Sequence, residues 1–330
     1  MIRFGVLGAG RIGKVHSRTI AANPKATLAY IADAVPAAAE ALATQYGAGV
    51  ASVEDIIKAK DVGAVLIGSP TGFHAEQIQA ASNAGKAIMC EKPVSLDVGT
   101  IEETLRIVEK NKSTLMIGFN RRFDPNFAEV EARIRRGDIG DVEIVTVISR
   151  DPGPPPLSYV KGSGGLYRDM MIHDFDIARF LMGEEFVVVN ALGTSLVDKE
   201  IGEAGDVDTA AVQMQTASGR IAVITNSRRA TYGYDQRLEV HGSKGMLSAA
   251  NVHNTTVAIH NSEGVKADPI QHFFVERYMA AYANELNTFI EAVDTGNRNP
   301  RPNGFDGLQA QKLAEAATQS WQSGKPVKVS

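Results

Sequence analysis

The first 120 residues alternate short apolar runs with longer amphipathic stretches. Such alternation is typical of parallel strands joined by crossover helices, so the pattern predicts an α/β domain with a parallel sheet. The predicted strands are Ile2–Leu7, Thr27–Ala32, Ala64–Ile67, Lys86–Cys90 and Thr114–Ile117, and the predicted helices are Arg11–Ala22, Ala37–Tyr46, Phe73–Ala84 and Val98–Asn111.

After Arg122 the pattern changes. A helix is predicted over Asn126–Arg136, because basic residues and a following glycine are favourable at a helix C-terminus. The strand-like segments that follow are separated by the turn residues Ala217–Gly219 and Gly242–Gly245, which indicates hairpins in a mostly antiparallel sheet. The predicted strands are Val142–Ser149, Phe186–Leu196, Thr209–Gln215, Arg220–Asn226, Gln236–His241 and Thr255–Ile259, and the last elements are helices Val275–Thr295 and Gly304–Ser323 and a strand Pro326–Val329.

Length, charge and cysteine content narrow the class of protein. A chain of 330 residues exceeds one comfortable hydrophobic core, so two domains are expected. The formal net charge of -4 gives no broad positive field, which disfavours nucleic acid or membrane partners and favours a small molecule. Cys90 is the sole cysteine, so no internal disulfide is expected. We expect a cytoplasmic protein, because no signal-like segment precedes Ile2 and no apolar stretch approaches the roughly 20 residues of a transmembrane helix.

A glycine-rich run, GAGRIG, lies directly between the first predicted strand and the first predicted helix. Gly8 and Gly10 permit a tight turn and the approach of backbone N–H groups to a pyrophosphate, while Gly13 lets the helix pack against the strand. Three glycines alone are weak evidence, since a purely structural turn has the same pattern. The context of strand, loop and helix favours dinucleotide binding.

Asp33 strengthens this interpretation, because it ends the second predicted strand where an acid can hydrogen-bond the adenosine ribose. Its carboxylate would repel a 2′-phosphate, and Ala34 supplies no compensating cation, so NAD is favoured over NADP. The alternative is that Asp33 is a turn or N-cap residue before Pro36.

Two segments carry groups suited to proton transfer. Lys92 lies just past the carboxyl end of a predicted strand, at the edge where open α/β sheets bind ligands, and Pro93 restricts its backbone. Asp169 and His173 are four residues apart in a predicted helix within Gly164–Gly183, where the carboxylate would steer the imidazole tautomer. Asp176 extends that polar stripe. The alternatives are an ordinary exposed lysine, and a solvated helix face or intrahelical ion pair.

Aspartate and histidine also bind metals, but we expect no metal site here. A second nearby histidine is missing, Cys90 has no partner cysteine, and hydride transfer to NAD needs no metal. The remaining histidines show no partner pattern and are expected to have structural roles; they are His16, His241, His253, His260 and His272.

As a set, these motifs resemble the Gfo/Idh/MocA oxidoreductase family along nearly the whole chain. The resemblance implies a Rossmann domain over residues 1–120 and an α/β domain over 121–330, whose large open, mostly antiparallel sheet forms the substrate site and a subunit interface. Homotetramers are common in that family. The motifs that carry the resemblance are GAGRIG, a strand ending in Asp33, SPTGFH (Ser69 to His74), EKP (Glu91 to Pro93), GFNRRF (Gly118 to Phe123) and DMMIHDFD (Asp169 to Asp176).

Within the family, the second half of the chain is most similar to bacterial inositol 2-dehydrogenases. The segments that carry this similarity are SRDPGPPP (Ser149 to Pro156), Gly164 to Leu181, GEAGDVDTA (Gly202 to Ala210) and Ser227 to Gly245. The resemblance implies catalytic roles for Lys92, Asp169 and His173, and ring contacts from Arg122, Asp151 and Tyr234. Arg122 and Asp235 are also suited to pairing with each other at the domain junction.

These observations predict NAD-dependent oxidation of a cyclic polyol, with myo-inositol as the leading substrate. His173 would accept the hydroxyl proton, Asp169 would orient it, and Lys92 would hydrogen-bond the reacting oxygen. A pyranose dehydrogenase or reductase, a catalytically silent NAD-sensing regulator and a metal-dependent enzyme are the alternatives. The residues expected to bind the cofactor are Gly8, Gly10, Arg11, Ile12, Gly13, Asp33, Ser69, Thr71, His74, Glu91 and Lys92.

Overall fold

The computed structural model describes residues 1–329. Its chain divides into a first unit of residues 1–123 and 280–311, and a second unit of residues 124–279 and 312–330. The segment 280–311 returns to the first unit, because its apolar side chains pack in the hydrophobic core of that unit. Phe289 lies edge-on to Phe4, with ring centroids 6.1 Å apart, and Leu286 and Ile290 join the same buried cluster. The expected domains, residues 1–120 and 121–330, do not include this return of the chain to the first unit.

The N-terminal 123 residues form a Rossmann-type arrangement, as the alternating pattern predicts. Strand β3 and helix α3 were not expected from the sequence, because each is shorter than a periodic pattern needs to be recognised. The elements are β1 (Ile2–Leu7), α1 (Arg11–Ala22), β2 (Ala26–Ala32), α2 (Pro36–Tyr46), β3 (Gly49–Val50), α3 (Val53–Lys58), β4 (Ala64–Ile67), α4 (His74–Asn83), β5 (Ala87–Glu91), α5 (Val98–Asn111) and β6 (Leu115–Gly118).

The sheet of the first unit has the strand order β3-β2-β1-β4-β5-β6, and every pairing in it is parallel. The order reverses beside β1, so a crevice opens there at the carboxyl ends of the strands. Gly8, Asp33, Ser69 and Lys92 each follow the end of one of these strands. The fold therefore places the predicted cofactor groups along one edge of one sheet.

The rest of the chain contains both helices and strands. Its elements are α6 (Pro125–Arg136), β7 (Val142–Arg150), α7 (Leu157–Ser163), α8 (Leu166–Asp169), α9 (Ile172–Met182), β8 (Phe186–Thr194), α10 (Lys199–Glu203), β9 (Thr209–Thr216), β10 (Ile221–Ser227), β11 (Asp235–Gly242), β12 (Gly245–Ala249), β13 (Ala258–Asn261), β14 (Gly264–Ala267), α11 (Phe274–Arg277), α12 (Met279–Thr295), α13 (Gly304–Ser323) and β15 (Val327–Lys328).

Seven of these strands form the large sheet of the second unit, in the order β12-β11-β7-β10-β9-β8-β15. Only β7 and β10 pair in parallel, so the expected mostly antiparallel sheet is confirmed. One face packs on side chains such as Phe127 of α6, Phe175 of α9 and Leu313 of α13. Along β9 the outward residues alternate with these buried ones and are exposed, so the other face is open.

Two predicted elements of the second half differ in the structure, and one strand there was not predicted. The strand predicted over Thr255–Ile259 is wrong as a member of the large sheet, because β13 and β14 form a separate hairpin whose residues are all exposed. The strand that does pair with β11 is β12, which follows the Gly242–Gly245 turn directly. The late helix predicted as continuous is interrupted at Tyr278, whose φ is -114°. Within residues 1–329, no helix is both long enough and apolar enough to cross a membrane.

Candidate active site

The glycine loop of the first unit leaves the first turn of α1 open to a ligand. Gly8 has φ +110°, and a Cβ there would lie 2.5 Å from the carbonyl oxygen of Gly68. A Cβ on Gly13 would lie 1.9 Å from the carbonyl oxygen of Gly8. By contrast, Gly10 is the N-cap of α1, no side chain caps the helix, and a Cβ on it would meet nothing within 4 Å. The space beside Gly10 at the first turn of α1 is therefore open, which suits the approach of a pyrophosphate.

Asp33 lies immediately after β2 and holds the same loop. Its Oδ2 accepts a hydrogen bond from the Ala9 N–H at 2.6 Å, and its Oδ1 accepts one from the Val35 N–H at 2.8 Å. An ionised carboxylate has about four acceptor positions, so two remain for ribose hydroxyls. The side chain therefore has the turn role that the sequence presented as one alternative, and it keeps the acceptor positions that the ribose role would need.

The predicted nicotinamide-side residues after β4 are held by hydrogen bonds within the first unit. His74 is buried, its Nδ1 lies 2.7 Å from the Pro93 carbonyl oxygen, and its Nε2 lies 2.7 Å from the Ser69 carbonyl oxygen. The ring thus ties the loop after β4 to the loop after β5. The Ser69 hydroxyl donates to Gln77 Oε1 at 2.7 Å, and Thr71 begins a short 3-10 turn. These contacts fix the shape of the loops that would border the nicotinamide.

Lys92 is half-buried and directly follows the last residue of β5, and the Lys92–Pro93 peptide is cis. Glu91, which we expected at the cofactor, directs its carboxylate inward. Its Oε1 lies 2.7 Å from His16 Nε2, and a Cβ on Gly118 would approach its Oε2 within 2.8 Å. Glu91 therefore anchors the strand end that carries Lys92.

His16 has a partner that the sequence did not reveal. His16, Glu91 and Glu285 come from three separate elements, and one potential metal-ligating atom from each lies within 4.8 Å of the others. The direct His16–Glu91 hydrogen bond joins two of these atoms without an intervening ion. Spacing along the chain carries no signal for a group that only α1, β5 and α12 bring together.

Arg122 lies at the end of the first unit's N-terminal segment and forms a buried ion pair, with its Nη2 3.0 Å from Asp306 Oδ1. Asp235, in the second unit, accepts hydrogen bonds from Arg237, Tyr232 and Asn251. Burial raises the pKa of Asp235, but these hydrogen bonds outweigh it and hold the pKa below its ordinary value. Each of the two residues thus has an ionic partner inside its own unit.

The predicted single helix carrying Asp169 and His173 is wrong in one respect, because it is two short helices. The Leu166 carbonyl oxygen accepts from the N–H of both Met170 (3.0 Å) and Met171 (2.9 Å), which ends α8 before α9 begins. Met170 and Met171 keep right-handed helical backbone angles, and the two polar residues are both half-buried. The four-residue spacing is thus retained across a break between helices.

The polar stripe beyond His173 is not a solvated face. Asp174 is fully buried and accepts a hydrogen bond from Asn226 Nδ2 at 2.9 Å. Asp176 is 1% exposed and lies 3.9 Å from Arg179. Buried carboxylates need such partners, so this part of α9 is fixed by polar contacts within the second unit.

Asp169 is held by two residues that sequence reasoning missed. The Tyr159 hydroxyl donates to its Oδ1 at 2.9 Å, and Arg228 Nη2 lies 3.7 Å from its Oδ2. Of the other predicted ring contacts, Asp151 donates its N–H to the Ser227 carbonyl oxygen, and Tyr234 is buried edge-on against Tyr278. No motif signals Tyr159 or Arg228, because they meet Asp169 only through the fold.

The chain matches known family sequences in both halves. Residues 2–119 match the oxidoreductase family with an NAD-binding Rossmann fold, and residues 127–248 match the GFO/IDH/MocA C-terminal domain. Together these matches confirm the resemblance inferred from the motifs and identify the N-terminal sheet as the NAD-binding part.

Individual relatives are similar over nearly their full lengths. The chain is 53% identical to an inositol 2-dehydrogenase of Rhizobium meliloti, over 97% of this chain and 96% of the relative. A crystal structure of a myo-inositol dehydrogenase from Corynebacterium glutamicum has a TM-score of 0.96 and 43% identity, covering 100% of this chain and 99% of that one. A scyllo-inositol dehydrogenase from Lactobacillus casei, with bound NAD(H) and scyllo-inositol, has a TM-score of 0.93 and 33% identity over 100% and 99%.

Proposed function

The chain belongs to the GFO/IDH/MocA oxidoreductase family, and from that membership we propose that it is an NAD-dependent inositol 2-dehydrogenase. The proposed reaction oxidises myo-inositol to 2-keto-myo-inositol (scyllo-inosose). The observation that carries this proposal is the 53% identity with an inositol 2-dehydrogenase over 97% of the chain, which includes the second unit with its candidate substrate groups.

The first unit supplies the cofactor site. NAD, when bound, accepts a hydride at its nicotinamide. The uncapped first turn of α1, with Gly8, Gly10, Arg11, Ile12 and Gly13, would hold the pyrophosphate, and Asp33 would hold the adenosine ribose. The loops after β4 and β5 would border the nicotinamide through Ser69, Thr71 and Lys92, and His74 and Glu91 would hold these loops in place.

Lys92, Asp169 and His173 would carry out the proton chemistry. His173 would accept the proton of the substrate hydroxyl. The C–H bond on the carbon that carries this hydroxyl would break, and its hydrogen would leave with the electron pair as a hydride for NAD. Asp169 orients His173 and stabilises its protonated form. Lys92 donates a hydrogen bond to the oxygen that becomes the ketone oxygen. This mechanism requires Lys92 to meet the Asp169–His173 couple at one alcohol.

Recognition of a polyol needs several fixed polar groups, because an unpaired buried donor or acceptor costs about 1–3 kcal/mol. Arg122, Asp151 and Tyr234 are proposed as ring contacts. Their contacts support this role: the Arg122 side chain is held by Asp306, the Tyr234 side chain packs against the ring of Tyr278, and the Asp151 backbone is fixed by its N–H hydrogen bond to the Ser227 carbonyl oxygen. Groups held in this way lose little further freedom when they bind a hydroxyl.

We also propose that the protein is a homotetramer, built in part through the open face of the seven-stranded sheet. Apolar side chains on that face are solvent-exposed, including Leu192 on β8 and Ile221 on β10. Exposed apolar patches of this kind are typical of subunit contacts.

The test of the proposed function follows NADH formation at alkaline pH with myo-, scyllo- and chiro-inositol and with glucose. We expect turnover with myo-inositol and NAD. Turnover of glucose but of no inositol would contradict the proposed substrate, while the proposed hydride and proton transfer would still hold. Tight NAD binding without turnover of any substrate would support a silent regulator instead, and loss of activity on chelation would support a metal-dependent enzyme.

A further inference from the structure

Arg228, just after β10, is a buried cation with no role in the reaction as described so far. It is 1% exposed and ranks first by volume among the fully buried side chains of residues 1–329. A guanidinium stays charged at any working pH, and a buried charge is costly unless an opposite charge compensates it. The group that compensates the charge of Arg228 therefore indicates where this cation acts.

The nearest carboxylate with an ionic contact to Arg228 is Asp169, 3.7 Å from Nη2. The backbone N–H of Arg228 donates to the Asp208 carbonyl oxygen at 2.8 Å, which fixes the position of the residue. The carboxylate of Asp208 is already used by the N–H groups of Leu196, Val197 and Asp198. Neither Nε nor Nη2 of Arg228 makes a hydrogen bond, so the cation acts on Asp169 through charge across a short gap.

Tyr159 on α7 contacts the other oxygen of the same carboxylate, donating to Oδ1 at 2.9 Å. Partial burial of the side chain and the neighbouring Asp169 raise the pKa of Tyr159 well above its ordinary value, so the phenol keeps its proton and remains a donor. The two carboxylate oxygens are thus held by different elements, a donor on one side and a cation on the other.

We propose that Arg228 and Tyr159 are positioning residues that hold the Asp169 carboxylate in the orientation that His173 needs, with Arg228 placing a positive charge beside the couple. This inference rests on the proposed function, because it assigns their effect to the Asp169–His173 couple. Arg228 disfavours proton uptake by the couple, so His173 stays neutral and able to accept a proton down to lower pH. Tyr159 restricts the rotation of the carboxylate.

Within the second unit, Arg228 is the cation that forms an ion pair with Asp169, and the proposed mechanism adds the ammonium of Lys92 from the first unit. Asp151, after β7, acts on Tyr159 through its negative charge, and Asp174 on α9 is hydrogen-bonded to Asn226. Arg168 on α8 is adjacent to Asp169 in sequence but has no ion pair with it within 4.0 Å among residues 1–329. Removal of Arg228 therefore leaves the net charge around the carboxylate more negative.

The test compares Arg228→Met, Arg228→Lys and Tyr159→Phe with Asp169→Asn in the full-length protein. The readouts are the pH profile of kcat/KM for myo-inositol, the Kd of NADH from fluorescence, and thermal unfolding. Arg229→Met is the matched control, because Arg229 is the next residue, is exposed, and its guanidinium donates to the Leu196 carbonyl oxygen and not to Asp169.

For Arg228→Met we expect the acid limb of the kcat/KM profile to move up by about one pH unit. We also expect kcat to fall by about tenfold or more, with the Kd of NADH within about twofold. Arg228→Lys should restore the position of the limb, and Tyr159→Phe should lower kcat with a smaller shift. Arg229→Met should leave the limb in place.

The outcomes separate this inference from the proposed function. An inactive Asp169→Asn variant together with an unshifted Arg228→Met profile would overturn the role of Arg228 and leave the catalytic assignment standing. A fully active Asp169→Asn variant would overturn both. If Arg228→Met does not fold, Tyr159→Phe decides, because it removes one hydroxyl from a ring that is 52% exposed; unchanged kcat and profile in that variant would overturn the inference.

Discussion

The proposed role of Lys92 depends on the position of this single residue in the fold. It follows β5 at the edge of the parallel sheet, and its neighbour Glu91 is tied to His16 by a 2.7 Å contact. A lysine held at this edge can present its ammonium to a ligand, whereas most lysines remain free in solvent.

Lys92→Ala should therefore lower kcat by about 100-fold or more, because the hydrogen bond to the reacting oxygen strengthens as charge develops on that oxygen. The Kd of NADH should change by less than about threefold. Steady-state kinetics and a fluorescence titration measure the two effects. Lys110→Ala, at an exposed lysine on α5, is the control. Near-normal turnover of Lys92→Ala would remove the lysine from the mechanism.

Asp235 allows a prediction about stability and pH. Its carboxylate is fully buried, and hydrogen bonds from Arg237, Tyr232 and Asn251 hold its pKa below the ordinary value despite burial. A group with a depressed pKa in the folded state stabilises the protein above the unfolded-state pKa of about 4. That contribution is lost as the pH falls through the lower, folded-state pKa.

Asp235→Asn should thus lower the free energy of unfolding by about 1–3 kcal/mol near neutral pH. The difference from the wild type should shrink as the pH falls below about 4. Urea unfolding over a pH series measures this. Asp294→Asn, which breaks the exposed pair with Lys25, should have little effect at any pH because solvent screens that pair. A difference for Asp235→Asn that grows toward low pH would contradict the argument.

At the scale of elements, two glycines in the loop between β1 and α1 have different roles, one in packing and one at the proposed phosphate site. Gly13 is needed for packing, since a Cβ there would lie 1.9 Å from a backbone oxygen, whereas Gly10 faces open space. Gly13→Ala should destabilise the protein by about 1–3 kcal/mol, because backbone must move. Gly10→Ala should change stability by less than about 1 kcal/mol but weaken NADH binding by about tenfold, because its methyl group enters the phosphate site.

Thermal unfolding without cofactor and a fluorescence titration with NADH measure these two effects. The two glycines serve as controls for each other, since both substitutions add one methyl group within the same loop. If Gly10→Ala binds NADH as tightly as the wild type does, the proposal that this loop binds the cofactor is wrong.

Elements with a long regular pattern could be predicted from the sequence, and irregular ones could not. β1, α1 and α5 begin and end at the predicted residues, because their apolar periodicity is uninterrupted. The break between α8 and α9 was missed, because Met170 and Met171 are ordinary helix formers and only the shared Leu166 carbonyl oxygen reveals it.

The candidate site divides in the same way. The glycine loop and Asp33 could be predicted from the sequence, because one continuous β1–loop–α1–β2 segment contains them. Arg228 and Tyr159 are not readable, because 59 and 10 positions separate them from Asp169 and only tertiary folding joins the three.

At the scale of the whole molecule, the open sheet of the second unit is the feature with the largest consequence. The register pairs Ile221 with Ile144, Ile144 with His241, and His241 with Met246, so these residues form one outward row across four strands. All three apolar members of this row are exposed, and Leu192 on β8 is 69% exposed. An isolated chain would leave these apolar side chains in water, which favours a partner of the same kind.

Leu192→Glu should therefore weaken assembly. A charge placed in an apolar contact loses solvation without gaining a partner, so we expect the wild type to have the mass of a tetramer and the variant to shift to smaller species. Size-exclusion chromatography with light scattering measures the mass, and circular dichroism confirms folding. Val50→Glu adds the same charge at a 49% exposed position on β3 of the other sheet and should leave the mass unchanged. A wild type with the mass of one chain would contradict the proposed oligomer, and an unshifted Leu192→Glu tetramer would move the contact away from this part of the sheet.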